Sequence, residues 1–205
     1  MKAIVNVSVC KMYDAPTRET TVVDEVLYGM VVEILDEVEP GWLKIRTHYR
    51  YEGIVCADDL IISEEEAENW EAMPKKVVLN KNHCDVLSRP KVQGWHLANL
   101  TRGCLVSPVG EPDESYQKVE LADGRQGYIQ TSILGEYYAE PASSDEETLR
   151  KMITEMALKY QEEKPVILLS NTQISQHILM EFRISQQKSI GRFTQMMQEA
   201  VRLIE

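Results

Sequence analysis

At 205 residues, with 43% hydrophobic and 27% charged side chains and a net charge of −11, the chain has the composition of a folded protein of one to three small domains. An acidic surface repels phosphate backbones and the longest basic stretch is only Lys75-Lys76, which excludes nucleic acid as an expected partner. No run reaches the ~18 apolar residues of a membrane span, and the first residues lack the apolar core of a signal peptide; no membrane partner is expected and the chain is placed in the cytoplasm.

In chain order, residues 2–11 alternate loosely as a strand, and Asp14-Ala15-Pro16-Thr17 turns because proline fixes φ. Val22–Leu27 leads to Gly29, and residues 30–35 are rich in β-branched side chains, as strands are. After the turn Glu39-Pro40-Gly41, residues 42–46 alternate with period two, which predicts one buried face. Residues 49–52 turn, 53–56 return and 58–61 close the set. Ser63 with Glu66 forms a capping box that starts a linker helix, ended by Pro74. Its acidic run reads as a solvated face with glutamates in the favourable first turn rather than a cation site. Trp70 is expected to dock it.

From here the chain repeats itself. At an offset of 74 residues Cys10 meets Cys84, Pro16 meets Pro90, Gly29 meets Gly103, Trp42 meets Tyr116, Gly53 meets Gly127 and Leu60 meets Leu134. The reading is one module used twice. Ala122-Asp123-Gly124 adds an Asp-Gly hairpin signal in the second copy. About five short strands within ~60 residues bury little as an open sheet, so closure into a small barrel is expected for each copy. The four cysteines have no zinc-knuckle spacing; Cys10 and Cys84 share a repeat position, favouring small buried hydrophobes over a Cys10–Cys84 disulfide. Neither a metal site nor a cofactor is expected.

The ordered motifs resemble the bacterial SH3 (SH3b) domain. The first copy carries Ala15-Pro16, Leu27-Tyr28-Gly29, Val31-Val32, Gly41-Trp42-Leu43-Lys44-Ile45, Tyr51-Glu52-Gly53-Ile54-Val55 and Leu60. The second carries Arg89-Pro90, Leu105-Val106, Tyr116-Gln117-Lys118-Val119, Gly127-Tyr128-Ile129 and Leu134.

Residues 137–143 read as a linker and Ser144 to Glu147 as a second capping box. Leu149, Met152, Ile153, Met156, Ala157 and Tyr160 then form an amphipathic stripe. The tandem modules, the linker and this helix together resemble the NlpC-type cysteine peptidases that trim γ-D-glutamyl-diamino acid bonds of murein peptides. That resemblance implies a Cys–His pair, a thiolate attacking the amide and a histidine protonating the leaving amine. From Glu162 onward the sequence has no cysteine and a single histidine, His177, so no catalytic residue is assigned and this chain is expected to be inactive, its catalytic domain truncated or divergent.

The expected fold is therefore mainly β with α: two tandem SH3b-like small β-barrels followed by a helical C-terminal segment. The expected domains are barrel 1 at 1–62, a helical linker at 63–76, barrel 2 at 77–135, a linker at 136–145 and an incomplete peptidase-like segment at 146–205. The resemblance implies murein stem peptides or cell-wall fragments as the ligand. An acid and aromatic rings suit an ammonium group, so Glu19, Tyr28, Trp42, Tyr49 and Tyr51, with Asp14 nearby, are the candidate substrate-binding residues. Two alternatives remain open: a scaffold holding a protein partner through the C-terminal helices, and an active hydrolase with an unrecognised site.

Overall fold

A computed structural model describes residues 1–79, 81, 83–113, 115–138, 145–151 and 154. The chain divides into two compact units, Met1–Glu136 and Tyr137–Glu205. In the second, the backbone is helical at 146–151 and 154. Asp145 caps that turn: its carboxylate accepts from the Thr148 N–H at 2.8 Å, which holds its pKa below the usual value. Ser144, expected in this role, lies outside the described residues.

The first unit begins with β1 (Lys2–Val5), β2 (Val9–Tyr13), β3 (Val22–Leu27), β4 (Val31–Glu39), β5 (Trp42–Arg46), β6 (Glu52–Cys56) and β7 (Leu60–Ile62). They make one antiparallel sheet in the order β3-β2-β6-β5-β4-β1-β7. Period-two alternation sets its faces: Leu43 and Ile45 of β5 and Val55 of β6 are buried, while Trp42, Lys44 and Arg46 are half-buried on the other side. On that outer side Arg46 pairs with Glu33 at 3.1 Å and with Glu52 at 2.8 Å.

The second sheet uses β8 (Lys76–Val78), β9 (His83–Leu87), β10 (His96–Thr101), β11 (Leu105–Pro108), β12 (Tyr116–Glu120), β13 (Gln126–Gln130) and β14 (Leu134–Glu136). Its order is β10-β9-β13-β12-β11-β8-β14, the first order with each strand number advanced by seven. Register follows the offset of the sequence: Trp42 opposes Cys56 as Tyr116 opposes Gln130, and Ile45 opposes Gly53 as Val119 opposes Gly127. Even the irregularity repeats, between Met12 and Tyr13 opposite β3 and between His96 and Ala98 in β10. Before Cys10 the correspondence shifts by one. Val5 opposes Leu60 and accepts from Gly29 N–H, whereas Val78, not Leu79, opposes Leu134 and accepts from Gly103 N–H. One extra residue in the β8–β9 connection absorbs the difference.

Helix α1 (Glu64–Ala72) joins the sheets. Ser63 caps it, its hydroxyl accepting from the Glu66 N–H at 3.2 Å. Ala67 and Trp70 are buried against Ile4, with Val31, Ile61, Met73 and Ala122 packed around them. The Trp70 indole donates to Gly29 O at 2.7 Å, so the largest side chain of the helix buries its ring without stranding its N–H. At the same junction Leu105 N–H donates to Tyr28 O at 2.9 Å and Ala122 N–H to the Tyr28 hydroxyl at 2.8 Å. Gly29, at φ +78, lies so near the second sheet that a Cβ would fall 2.6 Å from Leu105 O. Residues 1–136 thus form one unit.

The expected fold class is corrected by these observations. Instead of small closed barrels, each half is a seven-stranded antiparallel sheet, with β3 and β7, or β10 and β14, at its ends. Part of the excess over the five strands expected comes from residues 2–11, read as one strand and divided into β1 and β2. Among the described residues the one complete α-helix is α1, accompanied by 3-10 turns at Ala57–Asp59 and Thr131–Ile133. Among the described residues the class is mostly β. Most of that segment, with His177 and the faces assigned to a protein partner, lies outside the described residues.

Candidate substrate-binding site

The β5–β6 connection is a tight turn. Thr47 N–H donates to Tyr51 O at 2.9 Å, Arg50 N–H to Thr47 O at 2.9 Å, and Tyr51 N–H to the Thr47 hydroxyl at 3.1 Å. Arg50 takes the left-handed conformation, φ 64. This fixes Tyr49 so that its hydroxyl donates to Asp24 Oδ2 at 2.5 Å, a short bond of the charge-assisted kind. Asp24 sits on β3 and is 9% exposed; its other oxygen accepts from Glu25 N–H at 2.9 Å. The His48 ring stands edge-on to Tyr49 with centroids 4.9 Å apart, and Tyr51 is 43% exposed beside them. The result is an anionic, aromatic corner at one end of the first sheet.

Trp42 lies elsewhere. It begins β5 and the corner follows the end of that strand, roughly 13 Å away along the strand at ~3.3 Å per residue. Its ring meets Tyr13 edge-on, centroids 5.8 Å apart and planes at 82°. From the 14–21 loop the Arg18 charge acts on Asp59, which ends the 3-10 turn after β6. Burial pushes the Asp59 carboxyl up while Arg18 opposes the shift. Burial, with the Asp59 charge 3.9 Å from its sulfur, pushes the Cys10 thiol well above its usual range.

The structure therefore distributes the five candidates over separate places. Tyr49 and Tyr51 share the corner. Trp42 pairs with Tyr13. Glu19 is exposed on the 14–21 loop, where its N–H donates to the Thr17 hydroxyl at 3.3 Å. Tyr28 is buried at the junction with its hydroxyl engaged by Ala122, and burial raises its pKa. Sequence reading passed over Asp24 because Val22–Leu27 reads as an apolar strand. The signal was present: an acid sharing strand parity with Val26, on the side that becomes buried.

Three of the four thiols are buried away from a nucleophile's role. Cys10, Cys84 and Cys104 are buried free cysteines and Cys56 is half-buried. Burial pushes Cys84 and Cys104 up to about 12, whereas a nucleophilic thiol needs its pKa pulled down. Among the described residues no three His, Cys, Asp or Glu side chains gather in a metal-holding arrangement.

Known proteins give this geometry a context. No family model matches the chain. Dipeptidyl-peptidase 6 of Lysinibacillus sphaericus is 32% identical over 163 residues, covering 78% of this chain and 59% of that protein; the chain thus spans less than two thirds of that curated relative. An NlpC/P60 family protein from Bacillus cereus ATCC 10987 superposes with a TM-score of 0.59 at 15% identity, over 78% of this chain and 63% of that one. An NlpC/P60 endopeptidase from Photobacterium damselae subsp. piscicida gives a TM-score of 0.42 at 11% identity, over 66% of this chain and 33% of that one. By sequence the chain is related to Dipeptidyl-peptidase 6, and it shares its fold with the NlpC/P60 family protein of Bacillus cereus.

Proposed function

We propose that the two-sheet unit of residues 1–136 recognises murein stem peptides, as the SH3b-type recognition part of an NlpC-type γ-D-glutamyl-diamino acid peptidase. The observation that carries this reading is the 32% identity to Dipeptidyl-peptidase 6 over 163 residues, a span longer than the unit itself. The corner of Asp24, Tyr49, His48 and Tyr51 supplies the chemistry. A stem peptide beginning in L-Ala presents a primary ammonium. A fixed carboxylate attracts it, and the Tyr49 and Tyr51 rings offer their negative faces. Tyr49 holds the Asp24 carboxylate in one orientation, so less freedom is lost when the peptide arrives. Glu19, on the 14–21 loop, and Trp42, at the start of β5, lie away from the corner and would touch only a longer ligand. Tyr28 supports the junction. The burial of Cys10, Cys84 and Cys104 fits a recognition role for these residues, with no catalytic residue assigned.

The test is calorimetric titration of the full chain with L-Ala-γ-D-Glu-L-Lys and its diaminopimelate counterpart, with hydrolysis followed in the same samples. Binding should fall about tenfold or more with Asp24→Asn or Tyr51→Ala, the size of an anchoring contact. Binding that ignores both substitutions would place the ligand elsewhere.

A further inference from the structure

The turn between β5 and β6 has a counterpart between β12 and β13, and the two are built alike. In the first, Thr47 N–H donates to Tyr51 O and Arg50 N–H to Thr47 O, both at 2.9 Å. In the second, Leu121 N–H donates to Arg125 O at 2.8 Å and Gly124 N–H to Leu121 O at 2.9 Å, which are the same two bonds at the 74-residue offset. Residues 50 and 124 both take the left-handed conformation, with φ 64 and φ 80. The second turn places there a glycine, which adopts positive φ about as readily as negative. The first places Arg50, whose Cβ is crowded by its own backbone in that conformation. Every other residue at positive φ among those described is a glycine. The turn that carries the aromatic corner thus bears a strain that its twin avoids, and strain of this kind gathers at binding sites.

The surrounding charges say what the side chain is for. Arg50 stands between Tyr49 and Tyr51 in the chain and is exposed. The nearby cations are taken, Arg46 by Glu33 and Glu52 and Lys44 by Glu52 at 2.9 Å, whereas Arg50 makes no ion pair among the described residues. The corner therefore pairs one anion, Asp24, with one uncommitted cation. A ligand that suits both carries an ammonium and a carboxylate a short distance apart. In L-Ala-γ-D-Glu-L-Lys the chain runs on through the γ-carboxyl, which leaves the α-carboxylate of D-Glu free. That carboxylate and the L-Ala amine are the two ends of an ordinary dipeptide backbone, about 7 Å apart when extended. A guanidinium fork meets a carboxylate with two parallel hydrogen bonds.

We infer that Arg50 is a binding residue for the D-Glu α-carboxylate, and that it occupies a glycine position for that purpose. Resting on the stem-peptide reading above, Asp24 reads the first residue of the ligand and Arg50 the second. The site then prefers the free acid to a peptide whose α-carboxyl is amidated.

The experiment titrates the full chain calorimetrically with L-Ala-γ-D-Glu-L-Lys and with the same peptide carrying D-isoglutamine, whose α-carboxyl is a neutral amide. The unaltered chain should bind the free acid about tenfold more tightly. Arg50→Gly should weaken the free acid about tenfold, leave the amidated peptide unchanged and so abolish the discrimination; Arg50→Lys should keep part of it. Because glycine relaxes the turn, the urea midpoint of Arg50→Gly should rise. Equal affinities of the two peptides for the unaltered chain, or discrimination that survives Arg50→Gly, overturns the assignment and leaves amine recognition by Asp24 standing. A lower midpoint together with weaker binding of both peptides gives Arg50 a merely structural role and also overturns it. If Asp24→Asn changes neither affinity while Arg50→Gly still removes the discrimination, the amine contact falls and the carboxylate contact stands. Binding of neither peptide overturns both.

Discussion

The two sheets share strand order, register and the placement of an irregularity, yet matched positions carry opposite chemistry. Where the first sheet has Asp24, Tyr49 and Tyr51, the second has Ala98, Asp123 and Arg125. Arg125 lies 2.6 Å from Asp123 in an ion pair and also donates to Leu97 O, so the charges at these two matched positions satisfy each other. In the first, a buried acid is held by a phenol beside an exposed ring. The loops diverge likewise: Arg18 and Thr21 occupy the places of Val92 and Trp95. Residues that set hydrogen-bond register are shared, whereas residues that reach outward are not. Such positions separate scaffold from site without any second sequence.

Removing the element that ties the halves together should have the largest effect. Trp70→Ala deletes a buried ring and its bond to Gly29 O, and should cost about 3–5 kcal/mol in urea unfolding. Both sheets should go in one transition. Separate transitions would show that they fold independently despite the junction. Gly29→Ala and Gly124→Ala both impose a side chain at positive φ, at +78 and +80, a cost of about 1–2 kcal/mol. Only Gly29 also faces Leu105 O at 2.6 Å, while Gly124 has open space. Gly29→Ala should therefore be clearly the more destabilising of the two. Equal effects would mean that the close approach is not felt. Tyr28→Phe should cost about 1–3 kcal/mol, because it strips the Ala122 N–H of its acceptor.

A smaller effect concerns pH. The Cys84 and Cys104 thiols, at about 12 when folded against 9.0, keep their protons in the folded state after the unfolded chain has lost them. Their contribution is complete below pH 9 and is lost as pH climbs from 9 toward 12. The urea midpoint should fall between pH 8 and pH 10.5, and less so in Cys84→Ala, Cys104→Ala. At pH 8 iodoacetamide should label Cys56 before the three buried thiols. Rapid labelling of Cys10 would contradict its burial.

The junction explains what could be read from the residues alone. Offset landmarks such as Gly29 with Gly103 and Trp42 with Tyr116 were visible because turn formers and period-two strands leave marks in one dimension. The capping box at Ser63 and the docking of Trp70 were legible for the same reason, since each depends on a local spacing. The break between β1 and β2 leaves no mark in the loose alternation of residues 2–11, so the two strands read as one and fewer strands were expected than the seven of each sheet. Tyr28 looked like a ligand residue because the contact that occupies it, Ala122, lies 94 residues away. Asp24 was hidden by its apolar neighbours, although its parity with Val26 marked it. Trp42 and Tyr49 were grouped by their aromatic character, although the strand read at 42–46 already set them at opposite ends of β5.

The most direct measurement is calorimetric titration of the full chain with L-Ala-γ-D-Glu-L-Lys, its N-acetylated form, and the free peptide against Asp24→Asn. This variant keeps the shape of the side chain and removes its charge. The account predicts that acetylation and Asp24→Asn each weaken binding about tenfold or more and that together they weaken it no further, since both break one contact. Undiminished binding of the acetylated peptide, or full affinity in Asp24→Asn, would contradict it.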